Sequence, residues 1–231
     1  MPACRKLFWC RNELNKFGAV RFYIFIGMIE NISVTIRPDK QLPFSEEELL
    51  SICGLFGIHP EPNTEDKIIV EINPYVDCVR ININSEAVSN LQVVIYPTNK
   101  YLENQFIRAK KVGGGIGSRW VKAQSAAAGS HDFKRMIAEA YRADDRSGDW
   151  TGYVVWAKYG YVMQVSSQTD FERFLIKHNR KEVTLYELIS NEGGLKLWQD
   201  EGFSWDAEFD LAPDSESNRI LTAYFARKTG T

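Results

Sequence analysis

Lys110-Lys111-Val112-Gly113-Gly114-Gly115-Ile116-Gly117-Ser118-Arg119 is the stretch on which the architecture turns. Residues 101–110 before it read as an extended run. Residues 116–128 after it place Ile116, Trp120, Ala123 and Ala127 on one helical face. The stretch is therefore a strand-to-helix turn. Glycines admit positive φ and let a ligand or a second backbone come close. The first amides of a helix lack internal partners and lie at the positive end of its dipole. Such a turn can hold a pyrophosphate, with Lys110, Lys111 and Arg119 adding charge. A turn that packs a helix tightly on a sheet uses the same residues, so both readings stay open.

Two phosphate motifs are excluded. A P-loop needs Gly-Lys-Ser/Thr, and Gly117-Ser118 lacks the lysine. The dinucleotide fingerprint needs GxGxxG inside a parallel sheet. Here four extended runs precede and enter the turn, at 67–72, 79–83, 91–96 and 101–110. Asn73-Pro74, Asn84-Ser85 and Pro97-Thr98-Asn99 separate them. Connections that short predict an antiparallel meander.

Further upstream, Ile32-Ser33-Val34-Thr35-Ile36 alternates as a strand does. Ser45-Glu46-Glu47-Glu48 then reads as a helix cap, with Leu49, Leu50, Cys53 and Phe56 at helical spacing and Gly57 ending the helix. Downstream, residues 133–141 are extended again. Strand, helix and strand make one βαβ unit, which predicts strands 101–110 and 133–141 as parallel neighbours. A short helix is expected at 152–158 and a strand at 160–165. Helices follow from Thr169-Asp170, from the capping box Thr184-Leu185-Tyr186-Glu187, and around Trp198. An extended run at 205–211 and a helix at 215–227 complete the chain. The class is α+β, a mixed sheet flanked by helices. Residues 1–27 carry no clear pattern and read as an appended segment or a misassigned start. Residues 28–165 form the core, and 166–231 a helical extension.

The chain has 231 residues, enough for one large domain or a domain with an extension. Apolar residues make up 44% and charged residues 25%, so a packed core is affordable and disorder is not indicated. A net charge of -2 gives no general pull towards nucleic acid and argues against it as a partner. The four cysteines (4, 10, 53 and 78) form no CxxC, and the three histidines (59, 131 and 178) have no metal-ligand spacing. No metal site is expected, and free thiols suit a reducing compartment. The hydrophobic run at 17–28 is interrupted by Arg21 and falls short of the roughly 20 residues a membrane span needs. No membrane association and a cytoplasmic location are the expectations.

The order meander, glycine turn, helix, parallel strand, short helix, strand resembles the GNAT superfamily of N-acetyltransferases over about residues 32–165. That family's cofactor loop reads Arg/Gln-x-x-Gly-x-Gly/Ala, and Val112-Gly113-Gly114-Gly115-Ile116-Gly117 occupies it, with small residues at Gly115 and Gly117. The resemblance implies acetyl-CoA or another acyl-CoA as cofactor, bound by Lys111, Val112, Gly113, Gly114, Gly115, Ile116, Gly117, Ser118 and Arg119. It implies a pantetheine arm between strands 101–110 and 133–141, and transfer to a small-molecule or peptide amine. Trp156-Ala157-Lys158-Tyr159-Gly160-Tyr161 takes the place of the family's aromatic helix and Gly-Phe turn.

The chain departs from the family pattern twice. Val112 stands where Arg or Gln is preferred, and Trp156 stands where a tyrosine protonates the departing thiolate. Tyr153, one turn earlier, is the substitute acid, and Tyr159 an outside candidate; Tyr153 and Trp156 also suit a core. Glu139 in Met136-Ile137-Ala138-Glu139-Ala140 is the candidate base, which burial beside apolar groups would favour, or a solvent-face residue of an alternating strand. Gln105 can bond a ligand amide or face solvent. Asp144, Asp145 and Asp149 can meet a cationic acceptor or form a solvated loop. A second reading is a GNAT-shaped binding or protein-interaction protein without transfer, its partner surface carrying Trp198, Phe203 and Trp205. A nucleotide- or nucleic-acid-linked enzyme, against which the near-neutral charge counts, is the third.

Overall fold

The computed structural model describes residues 8–14, 20–26, 29–36, 42–58, 68–85, 87–110, 114–142 and 152–229. The chain forms two compact units, Met1–His131 and Asp132–Thr231. The fold is α+β, with a mixed sheet flanked by helices.

The first unit is built on seven strands laid side by side in chain order. They are β1 (Phe8–Leu14), β2 (Val20–Ile26), β3 (Ile29–Ile36), β4 (Ile68–Pro74), β5 (Val79–Asn84), β6 (Val88–Tyr96) and β7 (Tyr101–Ala109). All neighbours are antiparallel except β3 and β4, which run parallel with Val34 opposite Val70. The chain returns from β3 to β4 through α1 (Glu46–Ile52) and a 3-10 turn (Leu55–Gly57), the long crossover that a parallel pair requires. The meander β4–β7 forms where its Asn, Pro and Ser separators place it. Two strands, β1 and β2, arise within residues 1–27, where the sequence shows no pattern; Val20–Ile26 is nearly continuous in apolar residues and has no alternation to read.

One face of the meander is apolar. Ile68, Val70, Ile72, Val79, Ile81, Ile83, Leu91, Val93, Ile95 and Leu102 are all buried. Against that core lie α1 and α2 (Ile116–Ser130). The expected capping box of α1 is present, with Glu48 N donating to Ser45 Oγ at 3.2 Å and Ser45 N to Glu48 Oε2 at 2.7 Å.

Helix α2 is seated by two buried polar contacts and one close approach. Asn104 on β7 and Gln124 on α2 are 2% and 0% exposed, and exchange amide hydrogen bonds of 2.9 and 2.8 Å. The indole Nε1 of Trp120 donates to Cys53 O at 2.7 Å. A Cβ on Gly57 would stand 2.8 Å from both Ala123 Cβ and Arg119 O, so only glycine lets the backbones come this near. These contacts set the rotation of the helix. Trp120, Val121, Gln124 and Ala128 form the buried stripe, while Ile116, Ala123 and Ala127, expected to face inward, are half-buried.

The second unit has a three-stranded antiparallel sheet in the order β8 (Arg135–Ala140), β10 (Trp205–Asp210), β9 (Val162–Met163). Around it are α3 (Gly152–Lys158), α4 (Val165–Lys177), α5 (Leu185–Ser190), α6 (Gly194–Glu201) and α7 (Glu216–Thr229). The expected strand at 160–165 shortens because α4 begins four residues before Thr169. Asp206 explains the early start: Ser166 Oγ donates to its carboxylate at 2.7 Å, and its amide donates to Ser167 Oγ at 3.0 Å. The core is aromatic. Trp198 lies edge-on to Phe171, Phe174 and Phe203, and Tyr161 edge-on to Phe209. Both Trp198 and Trp205 donate their indole N–H to one acceptor, the carbonyl of Tyr153, at 3.1 and 2.8 Å. Arg142 donates to Asp200 O and Gly202 O, bringing positive charge to the C-terminal end of α6.

Two expected outcomes follow from these contacts. Asn104→Leu leaves the Gln124 amide buried without its partner and costs about 1–3 kcal/mol in urea unfolding, whereas the double variant Asn104→Leu/Gln124→Met recovers most of that loss. Additive losses would show that the pair is not coupled. The second concerns Glu182, whose carboxylate accepts from Asn191, Arg180 and the Lys181 amide and is held down at about 2. A carboxyl depressed in the folded state contributes stability that is full above the usual glutamate range and lost as pH falls towards its folded value. The stability gap between the wild type and Glu182→Gln is therefore widest above about pH 5 and narrows towards pH 2. A gap that does not change across that window in acid titrations of the unfolding midpoint contradicts this account.

Candidate functional site

Where β7 ends, Lys110 N bonds back to Ala87 O at 3.0 Å, and the chain leaves the sheet. Lys111, Val112 and Gly113 lie outside the described residues. The turn is described from Gly114 onward. Gly115 takes φ 70° and ψ 12°, the left-handed conformation that an L side chain resists, and serves as N-cap of α2 without a side-chain cap. The amides of Ile116, Gly117 and Ser118 are therefore the opening, internally unpartnered donors of a 15-residue helix.

The side chains around this opening are arranged by the turn's own carbonyls. Ser118 is buried and turns its hydroxyl inward to Gly115 O at 3.0 Å. Arg119 is exposed, and its Nη1 donates to Gly114 O at 3.0 Å, which tethers the guanidinium beside the helix start with further donors to spare. Gly114 differs from its neighbours. It is exposed, its φ is not in the left-handed region, and among the described residues a Cβ there would meet nothing nearer than Ile116 Cγ1 at 4.0 Å. Among the described residues, nothing packs against this position closely enough to require glycine.

The other residues singled out in sequence are placed as follows. Gln105 on β7 is exposed and donates to Glu103 Oε1 at 3.1 Å. In the second unit, Glu139 is exposed on β8, in register with Asp206 of β10, and lies in solvent rather than among apolar groups. Tyr153 on α3 is buried, its hydroxyl donating to Gln199 O at 3.0 Å and its ring beneath the Arg142 guanidinium. Trp156 is buried against Tyr161, with ring centres 4.6 Å apart, and Tyr159 is half-buried edge-on to Tyr224. Asp144, Asp145 and Asp149 lie outside the described residues. Trp198 and Trp205 are fully or nearly fully buried, so of the three aromatics offered as a partner surface only Phe203 has part of its side chain exposed.

Chemically, the arrangement in the first unit can accept an anion: main-chain donors converge at a helix start, and a tethered arginine adds positive charge. Among the described residues no group of three His, Cys, Asp or Glu side chains is placed to hold a metal ion, and no helix is long and apolar enough to cross a membrane. The Cys53 thiol is buried and pushed well above the usual cysteine range by desolvation, which makes it an unreactive core residue. No family model, curated protein or solved structure matches this chain.

The contrast between two adjacent glycines can be measured. Gly115→Ala costs about 1 kcal/mol of stability because alanine is strained at φ 70°, and Gly115→Asn costs less. Gly114→Ala leaves stability unchanged or raises it by up to about 1 kcal/mol. Urea unfolding followed by tryptophan fluorescence ranks the three variants, and an equal loss at both positions would overturn the distinction.

Proposed function

We propose that this protein binds an acyl-CoA, with the pyrophosphate received by the opening amides of α2 and by Arg119. The observation that carries the proposal is Gly114. Among the described residues nothing crowds a side chain there, and its φ is not in the left-handed region, yet the position borders an uncapped helix start. Absence of a side chain serves close approach by something outside the chain. The neighbouring pattern Gly115-Ile116-Gly117 and its resemblance to the GNAT cofactor loop supply the identity of the ligand.

From the same resemblance we propose transfer to an amine. The amine nitrogen attacks the thioester carbonyl, the C–N bond forms, the C–S bond breaks, and the CoA thiolate leaves with a proton. The amine loses a proton to Glu139 or to water, and Tyr153 is the candidate donor to the thiolate. A specific contact favours the second reading, ligand binding or partner interaction without transfer. The Tyr153 hydroxyl already donates to Gln199 O, so protonating a thiolate would require that bond to break.

Calorimetric titration with acetyl-CoA separates these possibilities. Binding is expected below millimolar concentration, Gly114→Ala and Arg119→Ala are expected to weaken it several-fold, and Gly115→Glu to abolish it. No heat at sub-millimolar ligand would remove the acyl-CoA reading altogether. Where binding is seen, release of free thiol with a panel of amines reports turnover, and loss of that release in Tyr153→Phe at unchanged affinity identifies an acid. Binding without thiol release leaves the non-catalytic reading in place.

A further inference from the structure

We draw no further inference here: the strongest candidate, the outward face of strands β4–β7 in the first unit, where the Arg80 guanidinium lies over the Tyr75 ring and Tyr96 stacks on Tyr101, carries nothing because nothing in the structure shows what covers it.

Discussion

The first unit depends on one buried exchange of amide hydrogen bonds. Asn104 and Gln124 satisfy each other inside an otherwise apolar layer, and neither has water to fall back on. A pair of apolar side chains could fill the same volume but would tolerate sliding and rotation of the helix. Two amides that must meet head-on do not, because a small displacement leaves buried donors and acceptors unpaired. The pair thus fixes where α2 sits along β7 and which face it turns inward. The Trp120 bond to Cys53 O and the contact at Gly57 hold the same helix against α1 and the 3-10 turn. Gly115 opens the same helix and so takes its place from that seating.

The second unit solves a comparable problem with aromatic rather than amide groups. A large indole brings one polar N–H into the core, and that N–H needs an acceptor. Trp198 and Trp205 come from different elements, α6 and β10, yet share the Tyr153 carbonyl. The first residues of α3 therefore serve as a common anchor for a helix and a strand distant in sequence. The same constraint weighs on function. Tyr153 has its carbonyl and its hydroxyl engaged in holding α6, a structural role that stands apart from the proton transfer proposed for it.

Legibility in the sequence followed the physics of each element. The meander could be read because Asn73-Pro74, Asn84-Ser85 and Pro97-Thr98-Asn99 interrupt it at strand-length intervals, and both capping boxes, at Ser45 and Thr184, stand where their residue types put them. The strands β1 and β2 could not be read, since a run such as Val20–Ile26 has no period to distinguish it from other buried segments. The rotation of α2 was also hidden. Gln124 lies one turn beyond Trp120, so its place on the buried stripe was available from spacing. A polar residue there looks like a break in the pattern until its partner on another element is known. The glycine turn was legible as a turn, but its internal division was not: which glycine answers to backbone geometry and which to neither geometry nor packing depends on contacts that only the folded chain has.

That division decides how much weight the turn can bear. Glycines recur in this chain for ordinary reasons. Gly57 is needed because α2 passes within contact distance, and Gly115 because its φ is positive. Had every glycine in the turn been explained in one of these ways, the turn would be fully accounted for as a connector, and an anion at α2 would be a property of any helix start. Among the described residues, neither reason applies to Gly114. It is exposed and, among the described residues, uncrowded, and the exposed Arg119 side chain donates to its carbonyl. A chain selected only to fold gains stability by replacing such a glycine, since a side chain restricts the unfolded ensemble at no cost to the folded one. Retaining glycine there is best understood as keeping the main chain accessible, which ties the proposed ligand site to a stability the protein forgoes.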